Sequence, residues 1–509
     1  MILALLTAGC ASTAQRAKEA RGKVHAGDPE GTVGVEGALP EGTEGEVGTA
    51  TSSVGTSGPT GKGKTGARGA TGTGAAGTGT GTGTGGTGTG GTGGGGGGGG
   101  GGSGGYVLGQ GVTATEIKIG LQVNAPIDYA AFGGRGSNGD DQKTSQAVVD
   151  HINKTGGIAG RKVVPVYHIT DTNSGTFAAQ AEAACADFVD DKKVFAAIST
   201  TNAGEPAQCY ANRGMPYISH KRGFYPAEYF QRMAGSLYTP GRMGITRWTV
   251  AYVDALVEQG YFAGGAKVAL LRYDHPDFDK LTDQVLKPRL AARGVTLADE
   301  FRAATPGSVA GLSDTAASAS AAVVRFRANG ITHVMFYEIG GVLPFFFMPQ
   351  AESQANWRPR YAMTTAMLPQ FQKANVPEPQ LHRTVGIGWV PADDLAAPED
   401  PGGNPNTELC KQIWANAGIT PTTRINLGSA LGYCDSLLFL KAALDRTTNL
   451  TVAGLKAAVE GLGDSFNSPL TFATRFGPGR YDGPTLYRNL EYFADCKCFK
   501  YTSGPKPAP

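Results

Sequence analysis

The sequence predicts an α/β protein that contains two parallel β-sheets and is preceded by a long glycine-rich segment. Strand-like and helix-like segments alternate along most of the chain after residue 115, and this alternation is typical of parallel sheets with helices on both faces. The repeated units are too many for one doubly wound sheet of ordinary size. The chain has 509 residues, and without its first 105 it is still long enough for two lobes, each with its own core.

The first ten residues resemble a bacterial lipoprotein signal. Met1 to Gly9 are mainly apolar and end in small residues before Cys10, and in such signals the cysteine receives a lipid and becomes the new N-terminus. No Lys or Arg precedes Cys10, and Thr7 stands where leucine is usual, so we expect the true start codon to lie upstream. The prediction is an extracytoplasmic protein, anchored by lipid to the outer face of the cytoplasmic membrane. A cytosolic protein with a chance apolar start is the alternative.

Residues 11–105 are predicted to form a disordered linker. They are rich in Gly and Thr, with glycine at every position from 93 to 102. Such a composition buries too little apolar surface to offset the entropy lost on ordering. A flexible chain of this length has a root-mean-square reach of about 50–60 Å, which would let a folded domain move well away from a membrane anchor.

The folded part begins with a strand at 117–123, where every second residue is Ile, Leu or Val. A helix follows from about residue 140 and ends at Gly156, because glycine is a common helix C-terminal signal. The next predicted elements are a strand at 163–169, a helix around 177–188, and short buried strands at 194–198 and 216–219.

The same alternation of helix and strand continues through the second half of the chain. Each predicted helix is followed by a short run rich in Val, Ile, Phe, Tyr or Met, as expected of buried parallel strands. The predicted helix and strand pairs are 245–259 with 268–272, 278–293 with 296–301, 316–328 with 333–337, and 343–355 with 361–364. A strand at 385–390 and helices near 408–417 and 431–444 complete the prediction.

The cysteines indicate an oxidising compartment. The sequence has seven, so lipidation of Cys10 would leave an even number for disulfides. Cys185 and Cys209 are 24 residues apart, as are Cys410 and Cys434, and we predict a disulfide within each of these two pairs. The Cys-x-Cys at 496–498 is left open, and the cysteine and histidine spacings do not match a zinc site.

Composition and motifs argue against several functional classes. The net charge is only +2, so no basic footprint for nucleic acid is visible. No run of eighteen apolar residues occurs, which leaves lipid as the means of membrane attachment. A phosphate-loop pattern at 58–65 lies in the glycine-rich segment, without the flanking strand and helix that nucleotide binding needs. We therefore expect no cofactor, no metal and, in the absence of a recognisable catalytic motif, no enzymatic activity.

Three segments in order resemble the opening of the leucine/isoleucine/valine-binding protein family, the type I solute-binding proteins of ABC importers. They are the strand 117–123, Gln146-Ala-Val-Val-Asp-His-Ile-Asn153, and Gly156-Gly-Ile-Ala-Gly-Arg161-Lys. The resemblance extends over about 115–500. It implies two Rossmann-like lobes joined by a three-strand hinge, the first lobe formed by 115–238 with 384–468 and the second by 239–383 with 469–502.

The resemblance also places candidate ligand contacts in the loops that follow the strands. Ser199, Thr200 and Thr201 lie where relatives bind the carboxylate of an amino acid, which hydroxyls and helix N-terminal amides are suited to do. Capping of the next helix is the alternative role. Tyr129 lies where relatives place an aromatic wall, and a plain surface position is its alternative.

Further candidates follow later strands. His220 and Arg222 stand where relatives carry small residues and a threonine; they would add charge for an anionic ligand, or face solvent. Phe278 lies near a cleft tyrosine of relatives. Tyr337 ends the strand at 333–337, and Glu338 follows it.

The position of a family acid is filled by a neutral residue in this chain. In relatives an acidic residue after the strand 361–364 pairs with the ammonium group of the ligand, and Thr365 stands there. Glu338 is a possible substitute, although a glutamate at a strand end is more often a helix cap or part of an ion pair. A buried ammonium without a partner is heavily penalised, so the ligand is either an amino acid paired with Glu338 or another small carboxylate or amide.

The predicted function is capture of a small polar ligand, a branched-chain amino acid by default, and its delivery to an ABC permease in the membrane. A sensor of the same fold that signals to a membrane partner is the first alternative. A secreted enzyme and a structural surface protein are less favoured.

Overall fold

The computed structural model describes residues 105–126, 134–135, 137–171, 173–199, 206–220, 225–354 and 356–509. The predicted lipidation site Cys10 and the glycine-rich segment up to residue 104 lie outside the described residues. The folded part opens with a short strand, β1 (Val107–Leu108), which pairs in parallel with β12 (Asn449–Leu450). The chain is therefore attached to the domain before the strand predicted at 117–123.

The first sheet has five strands in the order β3-β2-β4-β5-β6, and every neighbouring pair is parallel. The alternating residues predicted for 117–123 point into the core, where each is at most 1% exposed. The helices of this part lie between the strands in sequence. In chain order the elements are β2 (Glu116–Asn124), α1 (Asp141–Lys154), β3 (Lys162–Thr170), α2 (Phe177–Ala186), β4 (Ala196–Ser199), α3 (Pro206–Asn212), β5 (Tyr217–Ser219), α4 (Ala227–Arg232) and β6 (Leu237–Tyr238).

The second sheet has eight strands. Three of them come from the end of the chain: β13 (Leu486–Phe493), β14 (Cys498–Tyr501) and β15 (Lys506–Pro507). The order is β14-β13-β11-β10-β9-β7-β8, with β15 paired to β13. Its central strands are parallel, whereas β13 and β14 are antiparallel additions at one side. In chain order the elements are α5 (Ile245–Glu258), β7 (Val268–Asp274), α6 (Pro276–Leu281), α7 (Lys287–Ala291), β8 (Asp299–Ala304), α8 (Leu312–Ala328), β9 (His333–Tyr337), α9 (Val342–Ser353), β10 (Arg360–Thr364), α10 (Pro369–Asn375), α11 (Glu378–Leu381) and β11 (Val385–Gly388).

The last part of the chain returns to the first lobe and then to the second sheet. Helix α14 (Arg424–Leu444) packs against α1, where Ser429 Oγ donates to Asp141 Oδ1 at 2.6 Å, and against the turn after α1, where Lys441 Nζ donates to the carbonyl of Gly157 at 2.6 Å. The remaining elements are α12 (Pro391–Asp394), α13 (Pro405–Asn416), α14 (Arg424–Leu444), α15 (Val452–Glu460), β13 (Leu486–Phe493), β14 (Cys498–Tyr501) and β15 (Lys506–Pro507).

This architecture confirms the predicted α/β class with two sheets, and it corrects the predicted boundary between the lobes at residue 384. Strand β11 was expected to open the second segment of the first lobe, which was set to begin at residue 384. It instead pairs with β10 and β13 in the second sheet. The chain crosses to the first lobe only after Gly388, because β11 lies between β10 and β13 in the second sheet.

One helix in the described part of the chain, α14, is long and apolar enough to span a membrane by length and composition, and 83% of its apolar stretch is buried. Its apolar residues face neighbouring elements all round, as in the core helix of a large domain. The composition of α14 is therefore accounted for by its central position.

The two predicted disulfides are confirmed. Cys185 in α2 is bonded to Cys209 in α3, and Cys410 in α13 is bonded to Cys434 in α14. Cys496 and Cys498, which the sequence left open, are also bonded to each other, in the turn between β13 and β14. Each of the two longer bonds joins consecutive helices of the first lobe.

Candidate functional site

Three segments connect the two lobes and are hydrogen-bonded to one another. They lie at 239–244, after the last strand of the first sheet; at 389–404, after β11; and at 461–485, between α15 and β13. The backbone N–H of Thr239 donates to the carbonyl of Tyr481 at 3.0 Å, and the N–H of Gly244 donates to Asp482 Oδ2 at 2.8 Å. Arg242 joins the first segment to the second through an ion pair with Asp393. These three segments form the expected hinge.

The two lobes also contact each other away from the hinge. The N–H of Phe177, at the start of α2, donates to the carbonyl of Gly307 at 2.9 Å. The N–H of Arg135 donates to Asn375 Oδ1 at 2.6 Å. Each bond joins a segment that follows a strand of the first sheet to one near the carboxyl end of the second sheet. The carboxyl ends of the two parallel sheets therefore face the same interlobe region, which is where open α/β sheets bind ligands.

Ser199, the first candidate, lies at the end of β4 and is buried. Its Oγ donates to Gln122 Oε1 at 2.7 Å, and Gln122 Nε2 donates to Thr170 Oγ1 at 2.9 Å. Polar side chains thus connect the carboxyl ends of three adjacent strands. The carboxyl edge of the first sheet therefore carries hydroxyl and amide groups. Groups of this kind are required in a site for a polar ligand.

His220 follows β5 and is fully buried. Its ring packs against that of Tyr433 in α14, with centroids 4.3 Å apart. Helix α14 carries Gly432 at this contact, where a Cβ atom would lie only 2.1 Å from His220 Cδ2. The carbonyl of His220 accepts a hydrogen bond from Arg242 Nε at 2.6 Å. His220 is therefore held by the first lobe and by the hinge at the same time.

Phe278 and Tyr337 are brought together in the second lobe. Their rings meet edge to face with centroids 5.5 Å apart. The hydroxyl of Tyr337 lies 2.7 Å from Thr249 Oγ1 in α5, and Phe278 is only 7% exposed. Both side chains therefore pack in the aromatic core of the second lobe, where Phe278 is contributed by α6.

Glu338 caps the start of α9. Its Oε1 accepts a hydrogen bond from the N–H of Gly341 at 2.8 Å, which matches the alternative role of a helix cap. Thr365 contacts an acidic residue that sequence reasoning missed: its Oγ1 donates to Asp394 Oδ2 at 3.0 Å. A carboxyl group therefore lies beside the position of the missing family acid, although it comes from the hinge.

Asp394 is buried and accepts three hydrogen bonds at one oxygen atom. The donors to Oδ2 are Thr365, the hydroxyl of Tyr501 at 2.7 Å, and the N–H of Val390 at 3.1 Å. Burial raises the pKa of Asp394 to about 8, against these donors and with a further increase from the charge of Asp393.

Asp435 is a second buried acid close to the hinge. Burial raises its pKa to about 7, while Ser468 and Arg242 act in the opposite direction. The two acids escaped sequence reasoning because their partners are distant in the chain. The one local signal is the Asp-Asp pair at 393–394, which follows the apolar segment 387–392.

Four candidates, Tyr129, Thr200, Thr201 and Arg222, lie outside the described residues. Among the residues that are described, Glu399, Cys496 and Cys498 bring potential metal-ligand atoms within 4.8 Å of one another. The two sulfur atoms are bonded to each other, so this group offers no thiolate to a metal ion in the oxidised protein.

Solved structures with the same fold come from several bacteria. A substrate-binding protein of an ABC transporter from Desulfitobacterium hafniense, in complex with leucine, has 17% identity and a TM-score of 0.52, covering 76% of this chain and 99% of its own. A branched-chain amino acid ABC transporter protein from Thermus thermophilus, with bound valine, has 15% identity and a TM-score of 0.56 over 78% and 97%. A solute-binding protein from Rhodopseudomonas palustris, in complex with p-hydroxybenzoic acid, has 14% identity and a TM-score of 0.57 over 77% and 97%.

The family comparison covers most of the folded part. A periplasmic binding protein family model matches residues 127–485, which include most strands of both sheets and all three hinge segments. No curated protein sequence matches this chain. The family match, the two-sheet architecture and the hinge agree with one another: the chain belongs to the periplasmic binding protein family, with its type I fold.

Proposed function

We infer that this protein is the solute-binding component of an ABC importer and works outside the cytoplasmic membrane. The observation that carries this proposal is the pair of parallel sheets whose carboxyl ends face one interlobe region across a three-segment hinge. Hinge motion of such lobes encloses and releases a small molecule without changing it. Nothing in this proposal requires a catalytic group.

We propose that the ligand is a small carboxylate. Leucine, valine and p-hydroxybenzoic acid, the ligands of the three structural relatives above, share a carboxylate group, whereas only the first two carry an ammonium group. In this chain Thr365 replaces the family acid, and the Oε1 atom of Glu338 is engaged by Gly341. These features favour recognition of the carboxylate more than of an ammonium group, and a branched-chain amino acid remains the first ligand to test.

The ligand test is a thermal-shift series on the full chain with matched compounds. Four compounds test the carboxylate, the ammonium group and the side chain of the ligand separately. They are leucine, 4-methylpentanoate (leucine without its amino group), leucinamide (leucine without its carboxylate) and p-hydroxybenzoate, which has a different side chain. A ligand at a hundred times its Kd stabilises the folded state by about 2.7 kcal/mol, which for roughly 400 folded residues raises the Tm by about 3 °C. We expect 4-methylpentanoate or p-hydroxybenzoate to raise the Tm, and leucinamide to leave it unchanged.

Calorimetric titration then gives the stoichiometry and the Kd of each compound that shifts the Tm. Stabilisation by leucinamide but by no carboxylate would contradict the proposed ligand class. Turnover of a bound compound, followed by chromatography of the incubated mixture, would contradict the proposed role as a binding protein.

Membrane anchoring and delivery to a permease complete the proposal. The sequence at Cys10 supports a lipid anchor, and the family match supports an importer as the partner. A sensor with the same fold would bind the same class of ligand. Ligand uptake by cells that lack the gene, compared with complemented cells, separates the two roles.

A further inference from the structure

Two side-chain pairs join α4 of the first lobe to α6 of the second. The hydroxyl of Tyr229 donates to both oxygen atoms of Asp277, at 3.3 Å from Oδ1 and 3.1 Å from Oδ2. Beside this pair, Lys280 forms an ion pair with Glu228. Both partners on one side come from the first turn of α4, and both partners on the other side come from α6, one helical turn apart.

The elements that carry these pairs belong to different lobes and lie beside the hinge, where the N–H of Ala227 in α4 donates to Thr246 Oγ1 in α5 at 3.0 Å. Helix α4 leads directly into β6, the last strand of the first sheet, whereas α6 follows β7 of the second sheet. Tyr229 is only 3% exposed, and its ring lies 4.5 Å from the guanidinium carbon of Arg232. The tyrosine is therefore positioned by its own lobe, so that its hydroxyl reaches across to Asp277.

We propose that Tyr229 and Asp277, supported by Glu228 and Lys280, form a latch that holds the lobes closed and thereby sets the affinity for ligand. The proposal rests on the proposed binding function and adds the residues that determine it. Helix α6 also carries Phe278, which packs on Tyr337. Closing the latch therefore fixes the helix that bears one of the candidate ligand contacts.

The two pairs differ in the strength expected of them. Tyr229 is nearly buried and its acceptor is charged, and hydrogen bonds of this kind contribute about 1.5–3 kcal/mol, or roughly tenfold to a hundredfold in an equilibrium. The side chains of Glu228 and Lys280 are 38% and 45% exposed, and such surface pairs contribute little. The tyrosine bond is therefore expected to be the stronger of the two pairs.

The first test measures closure without any ligand. Spin labels on exposed positions of the two lobes, Lys154 in α1 and Val324 in α8, report the interlobe distance by pulsed dipolar spectroscopy. We expect the ratio of closed to open molecules to fall about tenfold or more in Tyr229→Phe and in Asp277→Asn. The double variant should be no more open than either single variant, because both changes remove the same bond.

Charge exchange tests the second pair. Glu228→Lys and Lys280→Glu each place like charges together and should reduce the closed population, while the variant with both changes should restore it. A structural role of either residue within its own lobe would give no such rescue. Tyr167→Phe is the matched control, since that tyrosine donates to Gln146 within the first lobe, at 3.1 Å.

The second readout is affinity for leucine or for the carboxylate found by thermal shift. A smaller closed fraction reduces the apparent affinity in proportion, so Tyr229→Phe should raise the Kd about tenfold, mainly through faster dissociation. Equal closed populations in wild type and Tyr229→Phe would overturn the latch, whether or not any ligand binds. If no compound binds but the closed population still falls in Tyr229→Phe, the result would instead contradict the proposed function and leave the latch supported.

Discussion

At the scale of single residues, the buried acid Asp394 is expected to make the stability of the fold depend on pH. Its carboxyl group lies where the second crossing segment, Thr365 and Tyr501 of β14 meet. A pKa of about 8 means that the group is mainly protonated in the folded protein at neutral pH, whereas the same group in the unfolded chain is ionised above about pH 4. Folding is therefore linked to proton uptake at this site.

The sign of the pH dependence follows from that difference. Between about pH 4 and pH 8 the folded state holds one more proton at Asp394 than the unfolded state, so the free energy of unfolding decreases as the pH rises and levels off above pH 8. Asp394→Asn removes this dependence, which amounts to about 1.4 kcal/mol per pH unit for one proton. Urea unfolding of both proteins from pH 5 to pH 9 measures it. Parallel curves would show that Asp394 is ionised in the folded protein.

Residue-level prediction from sequence worked where the partners are close in the chain and failed where they are not. The spacing of Cys185 and Cys209 on consecutive helices was enough to predict their bond. Tyr229 and Asp277 are 48 residues apart and lie in different lobes, so no local pattern links them. The ligand roles proposed for Ser199 and the other candidate residues stay predictions, since the geometry described here fixes their positions within the lobes and not their contacts with ligand.

At the scale of elements, the three disulfides differ in the length of chain that they close. The bond between Cys410 and Cys434 closes a loop of 24 residues, whereas that between Cys496 and Cys498 closes a loop of only 2. The loss of chain entropy in the unfolded state gives about 3.4 kcal/mol for the longer loop and about 1.2 kcal/mol for the shorter one. The helix pair α13 and α14 should therefore depend on its bond far more than the β13–β14 turn does.

Paired variants test this ranking. We expect Cys410→Ala with Cys434→Ala to lower the free energy of unfolding by at least about 3 kcal/mol, because both side chains are also fully buried. Cys496→Ala with Cys498→Ala should lower it by about 1.5 kcal/mol or less. Denaturant unfolding under oxidising conditions provides the comparison. A larger effect at the turn than between the helices would contradict this ranking by loop length.

The order of helices and strands was largely predictable because buried parallel strands and amphipathic helices leave distinct periodicities. Most predicted strands agree with the observed ones within a few residues, as at 361–364 and β10. The antiparallel pair β13 and β14 was not predicted as strands. These strands lie at the side of the second sheet, where apolar and polar residues are mixed and one face is only partly covered. Their pairing also explains why β11 belongs to the second sheet.

At the scale of the whole molecule, attachment and binding are separable properties. The described N-terminal residues pair through β1 with β12, so any pull transmitted from the N-terminus reaches the first lobe and not the hinge. The Asp394 group and the latch lie elsewhere, at the crossing segments and between α4 and α6. An anchored and a released form of the protein should therefore bind ligand equally well.

Cys10 provides the test of that separation. If the cysteine is lipidated, the expressed protein should be recovered with membranes, because a cysteine that carries at least two acyl chains is held stably in a bilayer. Cys10→Ala should shift the protein to the soluble extracytoplasmic fraction, and Cys496→Ala with Cys498→Ala, which changes cysteines far from the N-terminus, should not. The Kd for ligand of the released variant should match that of the detergent-solubilised wild type, since no described element of the hinge or of the latch involves the N-terminal segment. Membrane association that survives Cys10→Ala would show that a different segment attaches the protein.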